Sequence, residues 1–357
     1  MRFKPYKLIP LLALLWVGLA GRAYGQAASA VNSYDSLVRE YNLITFGDAT
    51  FSNYGDTWGP IAIGGNLTLN GGAVAIHSDV SNVSSDPTLY VGGQLNLSND
   101  VQLNNGYAST PNVTGSWTWD SVQKKLSNGS GNLYSVNSTN PLAANDPRTN
   151  PGPANWNMAS MQAQAISVSS VLSGLAPTGT VGVNGQQLTF SANNPNTSGV
   201  VVFQLDAALL GSGTYNGQNI SGIAFNLGAD QTAVVNILNA NGKTIFGNGV
   251  NFNDPGVASR LLWNISGTGS VSLGNGGQFY GSILAPQMNL SNANNTSING
   301  QIVAASLSYS NAELHDTAFS PVGVAGVLVP EPTTYALWGA GLCALGLAVR
   351  RWRERRK

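Results

Sequence analysis

From about Tyr41 to Phe319 the chain alternates short apolar runs with clusters of Gly and Asn. Ile61-Ala62-Ile63, Leu67-Thr68-Leu69, Leu95-Asn96-Leu97, Val101-Gln102-Leu103, Val200-Val201-Val202-Phe203, Val234-Val235-Asn236-Ile237-Leu238 and Ile283-Leu284-Ala285 stand out. Such runs, bounded by turn formers, predict β-strands. They argue against the disordered stalk that a Gly/Asn/Ser/Thr-rich composition would otherwise imply. Two echoes organise the strands. Ile61 to Leu69 returns 28 residues later as Leu89 to Leu97, and Gly281-Ser282-Ile283-Leu284-Ala285-Pro286 returns 19 residues later as Gly300-Gln301-Ile302-Val303-Ala304-Ala305. Recurring strands with Gly and Asn corners fit stacked coils whose inward Ile, Leu and Val pack on one another. The predicted fold is mainly β, a right-handed β-solenoid (β-helix). A spacing near 19 suits one coil; the 28-residue echo needs an inserted loop, assigned to His77–Pro87. An antiparallel sandwich would explain the alternation but not the repeated Gly-x-Ile-x-Ala unit.

One segment breaks the pattern. From Trp156 to Leu175 there is no glycine before Gly174, and Met158, Met161, Ala165, Val168 and Leu172 recur at spacings of 3, 4, 3 and 4. This predicts one accessory α-helix packed alongside the solenoid, after a Pro-rich stretch from Pro141, with Asn155 as its N-cap and Pro177 beyond its end. The Met stripe is read as packing.

Both ends carry processing signals. Arg2, Lys4 and Lys7 precede the apolar run Leu8–Ala20, and Ala23-Tyr24-Gly25 forms a small-x-small cleavage site, so residues 1–25 read as a signal peptide. Ala28-Ser29-Ala30 is an alternative site. At the other end Val329-Pro330-Glu331-Pro332 is a stiff, extended peptide that a protease can grip. The 17 residues Thr333–Val349 follow, long enough as a helix to cover roughly 25 Å, near the lower limit for a single transmembrane helix. Arg350, Arg351, Arg353, Arg355, Arg356 and Lys357 then form a basic stop that stays cytoplasmic.

The tail resembles the PEP-CTERM sorting signal of Gram-negative bacteria. That resemblance implies an exosortase as partner, an inner-membrane-anchored precursor, and release to the cell surface or extracellular matrix.

Charge changes the picture once these ends are set aside. The exported region 26–328 keeps only six basic residues against 14 acidic ones, a net charge near −8 although the whole chain is formally neutral. An acidic, sparsely charged surface repels phosphate backbones, which excludes nucleic acid as a partner. The one cysteine, Cys343, lies in the tail, so no disulfide framework supports the fold.

Phe46-Gly47-Asp48, Ile61 to Leu67, Gly281 to Pro286, Gly300 to Ala304 and Glu313-Leu314-His315-Asp316-Thr317-Ala318-Phe319 resemble the choice-of-anchor A family of bacterial surface domains. The resemblance covers about Tyr41 to Phe319. It implies an adhesin-like β-helical module without established enzymatic activity.

Candidate chemistry is sparse. His77 and His315 are the only histidines. Glu313 and His315 share a face on a strand while Asp316 points away, with no second His or Cys to complete a metal site, so the segment reads as a closing strand. Asp48, Asp56 and Asp79 form the least scattered carboxylate group, a weak case for calcium; no cofactor or metal is otherwise expected. Trp117 and Trp119 share a face if extended and are the first candidates for stacking on a sugar ring. The expected function is a non-enzymatic surface or matrix adhesin associated with exopolysaccharide. A polysaccharide lyase or hydrolase on a β-helix is the alternative, disfavoured by scattered carboxylates. An ice-binding-like adhesin is a further one, disfavoured by the lack of regular Thr-x-Thr arrays.

Overall fold

The computed structural model describes residues 25–324 except 39–40, 54–55, 78–85, 155, 248, 275–276 and 293–294. The sorting motif Val329–Pro332, the expected membrane helix 333–349, the basic stop, all of the leader but Gly25, and Asp79 lie outside the described residues. Among the described residues no helix is long and apolar enough to cross a membrane.

The chain is mainly β and its long-range pairing is parallel. Each coil passes through three strand positions. Leu43–Thr45 and Ala49–Ser52 lead to a bridge at Asp56 and Thr57, then Ile61–Ile63, Leu67–Leu69 and Ala73–Val74 form the next coil, and Leu89–Val91, Leu95–Leu97 and Val101–Leu103 the one after. The echoes fall in register: Ile61 faces Leu89, Leu67 faces Leu95, and Ile283 faces Ile302. The extra residues of the longer coil fall between Val74 and Leu89, as the spacing predicts. Stacking also explains the glycine pairs. A Cβ on Gly92 would lie 2.6 Å from the carbonyl oxygen of Gly64 in the coil below, too close for any side chain.

Coil order does not follow chain order. Nine strands lie side by side in the sequence 199–206, 231–238, 261–265, 282–292, 302–310, 43–45, 61–63, 89–91, 108–109. The chain therefore starts in the middle, builds outward to one end, crosses to the other, and returns coil by coil to its starting point. The two halves meet at a seam where Ile302 pairs with Leu43 and Leu307 with Ala49. Across it Ile302 N donates to Asn42 O at 2.9 Å, Leu307 N to Asp48 O at 3.1 Å, and Leu314 N to Asp56 O at 3.0 Å.

Two cores result. Leu43, Ile61, Leu89, Ile283 and Ile302 fill the interior. Ile44, Ala62, Val202, Val234, Leu262, Leu284 and Val303 point out of the same strands into a second core beneath two helices. Strands buried on both sides need apolar residues at both parities, which accounts for unbroken runs such as Val200–Phe203.

Within the exported region the sequence predicts one α-helix; the described residues hold two. α1 spans 25–38 and α2 spans Met158–Ser173. Ala27, Ala28, Val31, Tyr34 and Val38 are the buried stripe of α1; the sequence reading takes up only Ala28 of these, as part of the alternative cleavage site Ala28-Ser29-Ala30. α2 starts later than expected because Asn157, not Asn155, caps it, its side chain accepting from Ser160 N at 3.0 Å, and it ends sooner because Gly174 is its C-cap. Ala165, Val168 and Leu172 are buried as the spacing requires, with Met158 and Met161 at the margin.

An antiparallel hairpin covers one end and an irregular segment the other. Gly179–Asn184 and Gln187–Ala192 fold back at one, where Thr178 N donates to Val202 O. At the other, Asn150 Nδ2 donates to Ala108 O at 2.8 Å, and Ser109 Oγ to Asn150 O at 3.1 Å.

Candidate functional site

The second strand position of each coil builds a flat outer face. Its strands alternate strictly. Val271, Leu290, Leu307, Ala49, Leu67 and Leu95 stack inward in register and are buried. Alternation therefore sends the next residue of every strand outward. The outward column is Thr244, Ser272, Ser291, Ser308, Thr50, Thr68 and Asn96, each paired with the next. It runs unbroken across the seam between Ser308 and Thr50. A second column holds Ser270, Asn289 and Ser306. Asp48, Asn66 and Gln94 continue it: Leu307 N donates to Asp48 O, Ala49 N to Asn66 O, and Leu67 N to Gln94 O.

Rungs repeat at about 4.8 Å and the columns stand about 7 Å apart, the distance of two residues along a strand. Hydrogen bonds along the columns fix the side chains. Ser306 Oγ donates to Asn289 Oδ1 at 2.7 Å, Asn66 N to Asp48 Oδ1 at 2.7 Å, and Gln94 N to Asn66 Oδ1 at 2.8 Å. Hydroxyls and amides both donate and accept. Such a face can hydrogen-bond to a regular, hydroxyl-bearing partner, and its columns hold no histidine and one carboxylate.

The third strand position gathers the titratable groups. Trp58 lies between the two histidines, with ring centroids 4.2 Å from both His77 and His315 and interplanar angles of 23° and 30°. His315 Nε2 meets Glu313 Oε2 at 3.0 Å and its Nδ1 meets Asn299 Oδ1 at 2.7 Å. Glu313 and His315 thus share a face as expected, and Leu314–His315 closes the seam by pairing with Ile298–Asn299 and bridging to Thr57. Asp56 lies next to Glu313 across that seam. Burial raises its pKa, its bond from Ala73 N at 2.9 Å works the other way, and the Glu313 charge adds to the rise.

The remaining expected residues separate. Asp48 belongs to the flat face and Asp56 to the third position, so the carboxylate group considered for calcium does not assemble from them. Among the described residues no three His, Cys, Asp or Glu side chains form a group able to hold a metal ion. Trp117 and Trp119 do share a side, and that side is packed on the interior core, each residue being half-buried. The outward columns escape a linear reading because each coil contributes one residue to each column and the column crosses the seam, where Ser308 meets Thr50 from the other end of the domain. Their trace in the sequence is the apolar–small polar–apolar triplet, as in Leu67-Thr68-Leu69 and Leu95-Asn96-Leu97.

No curated protein matches the chain. Among solved structures it is similar to the DUF3494 domain of Shewanella frigidimarina ice-binding protein 1, with 11% identity, 79% of this chain and 96% of that one covered, and a TM-score of 0.33. A glycosylated ice-binding protein (LeIBP) from Arctic yeast is similar at 13% identity, covering 83% and 94%, with a TM-score of 0.28. An ice-binding protein from the Antarctic ascomycete Antarctomyces psychrotrophicus gives 13%, 79%, 96% and 0.28 in the same order. Residues 328–356 match the PEP-CTERM protein-sorting motif, and residues 35–316 match the family model described as "Putative Ice-binding-like adhesive domain". The chain belongs to the ice-binding-like adhesive domain family, with a PEP-CTERM sorting motif behind that domain.

Proposed function

We propose that the protein is a non-enzymatic adhesin of the cell surface or extracellular matrix, and that its flat Ser/Thr/Asn face binds extended polysaccharide in an exopolysaccharide matrix. The in-register outward column from Thr244 to Asn96 carries this reading. A rigid row of donors and acceptors at one spacing loses little entropy when it meets a chain of repeating hydroxyls. The chain is exported through its leader, held in the inner membrane as a precursor, and cut by an exosortase at Val329–Pro332. The leader is removed after Gly25, because removal after Ala30 would take Ala27, Ala28 and Ala30 out of the second core. The choice-of-anchor A resemblance supports the same adhesive role.

Ice is the second reading. The regular register and near-neutrality of the face favour it, and the family description points the same way.

The exported chain is tested against a polysaccharide panel and against growing ice, as wild type and as Thr68→Tyr and Ser308→Tyr, with Val122→Ser on an exposed hairpin tip as control. Polysaccharide binding without new chain ends is expected, weakened at least tenfold, or ~1.4 kcal/mol, by either tyrosine and unchanged by the control. Ice growth inhibition lost in the same variants supports the second reading. New reducing ends or unsaturated products overturn both.

A further inference from the structure

Past His315 the chain turns back over the helix-bearing side. Phe319 N donates to Gln301 Oε1 at 2.8 Å, and its ring meets Tyr34 edge-on at 5.2 Å. Ser320 N donates to Ser259 O at 2.6 Å. Val322 N donates to Thr232 Oγ1 at 2.7 Å, and that hydroxyl donates to Val322 O at 2.8 Å. Gly323 lies against Asp230 O and Gly199, where a Cβ would have no room, and Val324 is buried. These partners follow the rung order from the seam to the rung of Gly199–Asp206, passing over the rung of Ser282–Asn292. Residues 316–324 form a strap that walks about four rung spacings, ~19 Å, toward one end of the stack.

We propose that this strap sets the stance of the module. The rung of Gly199–Asp206 lies next to the surface to which the tail attaches, and the far end around Ser109 and Asn150 is outermost. The proposal rests on the reading of the tail as an attachment signal. The apolar run that attaches to a membrane begins at Thr333, nine residues beyond Val324, and nine residues reach at most ~32 Å. The nine-strand stack is ~38 Å long, so attachment is within reach of the near end only. That end suits a tether rather than an inserted patch. Its turn carries Asn193, Asn194, Asn196 and Thr197. Arg260 is turned inward, with Nη1 donating to Gly228 O at 2.6 Å and to Ala229 O and Gln231 O at 3.0 Å. The hairpin tip at Val122, 91% exposed, stands at the outermost end. The columns of the flat face then run away from the attachment surface and present every rung to material beside the cell.

The test uses the chain from Gln26 to Lys357 with Cys343→Ser and one labelled cysteine, Asn196→Cys near or Val122→Cys far, both exposed in the fold. Each protein is bound to phosphatidylcholine vesicles bearing a headgroup energy acceptor. Transfer from position 196 is expected to exceed transfer from position 122 several-fold. Equal or reversed transfer in protein that floats with the vesicles overturns the stance while leaving attachment intact. Protein that does not float overturns attachment, and the stance with it.

Discussion

Asp56 shows how much a single residue at the seam can decide. It faces Glu313 from the neighbouring coil, and like charges side by side on adjacent strands oppose pairing. With a folded-state pKa above its unfolded value, ionised Asp56 works against folding. The penalty is complete above the folded-state value and fades as pH falls through it toward the ordinary carboxylate range. Wild type should therefore lose stability as pH rises through that window. Asp56→Asn keeps an acceptor for Ala73 N and removes the charge. It should flatten the pH profile of thermal melting and raise the pH 7 melting temperature by about 1–2 °C, a small gain because the pair is partly exposed. A variant that melts below wild type at pH 7 would mean that the Asp56 charge supports the seam.

At the level of elements, α2 is fixed to the sheet by a buried polar cluster as well as by its apolar stripe. Asn264 Nδ2 donates to Asn236 Oδ1 at 2.8 Å and to Ser169 O and Ser173 Oγ at 3.0 Å; Ser169 Oγ returns a bond to Asn264 Oδ1 at 2.7 Å. Asn236 Nδ2 reaches Leu172 O at 2.7 Å. Asn264→Ala removes the partner of Asn236 Oδ1 and of Ser169 Oγ in the second core and should cost about 1–3 kcal/mol in urea unfolding. Amide exchange should quicken in α2 before it does in Leu95–Leu97; unaltered α2 protection would mean that the apolar stripe alone holds it. The stripe of α2 was legible because 3.6-residue periodicity is local. So were the strands, whose apolar residues declare one buried side. The stripe of α1 was hidden because its alanines also satisfy the chemistry of a leader cleavage site. The end caps and the order of the coils were not legible, since nothing local in Leu43–Thr45 says that its neighbour is Ile302–Ala304.

For the whole molecule, the adhesive-domain match and the sorting motif occupy separate stretches, residues 35–316 and 328–356. Glu331→Ala alters the motif and spares the apolar run and the basic stop. If Val329–Pro332 directs processing, the variant should accumulate at full length in the inner membrane, while wild type at the surface lacks the apolar run and everything after it. Intact mass decides this. A full-length C-terminus in both would mean that the tail is an anchor and nothing more.

The seam also imposes a schedule. The coils from Leu43 to Ser109 are made early, and the strand that covers their inner edge, Ile302–Ser310, is made almost last. Throughout the interval Leu43–Thr45 and Ala49–Ser52 present unpaired backbone groups, the kind of edge that recruits other chains. When Ile302–Ser310 arrives it has to take its place between Ser282–Asn292 on one side and those early strands on the other, completing two ladders in one event. Contacts of such sequence separation form slowly. The time between the first coil and the last is the period in which this protein is most exposed to association with its own kind.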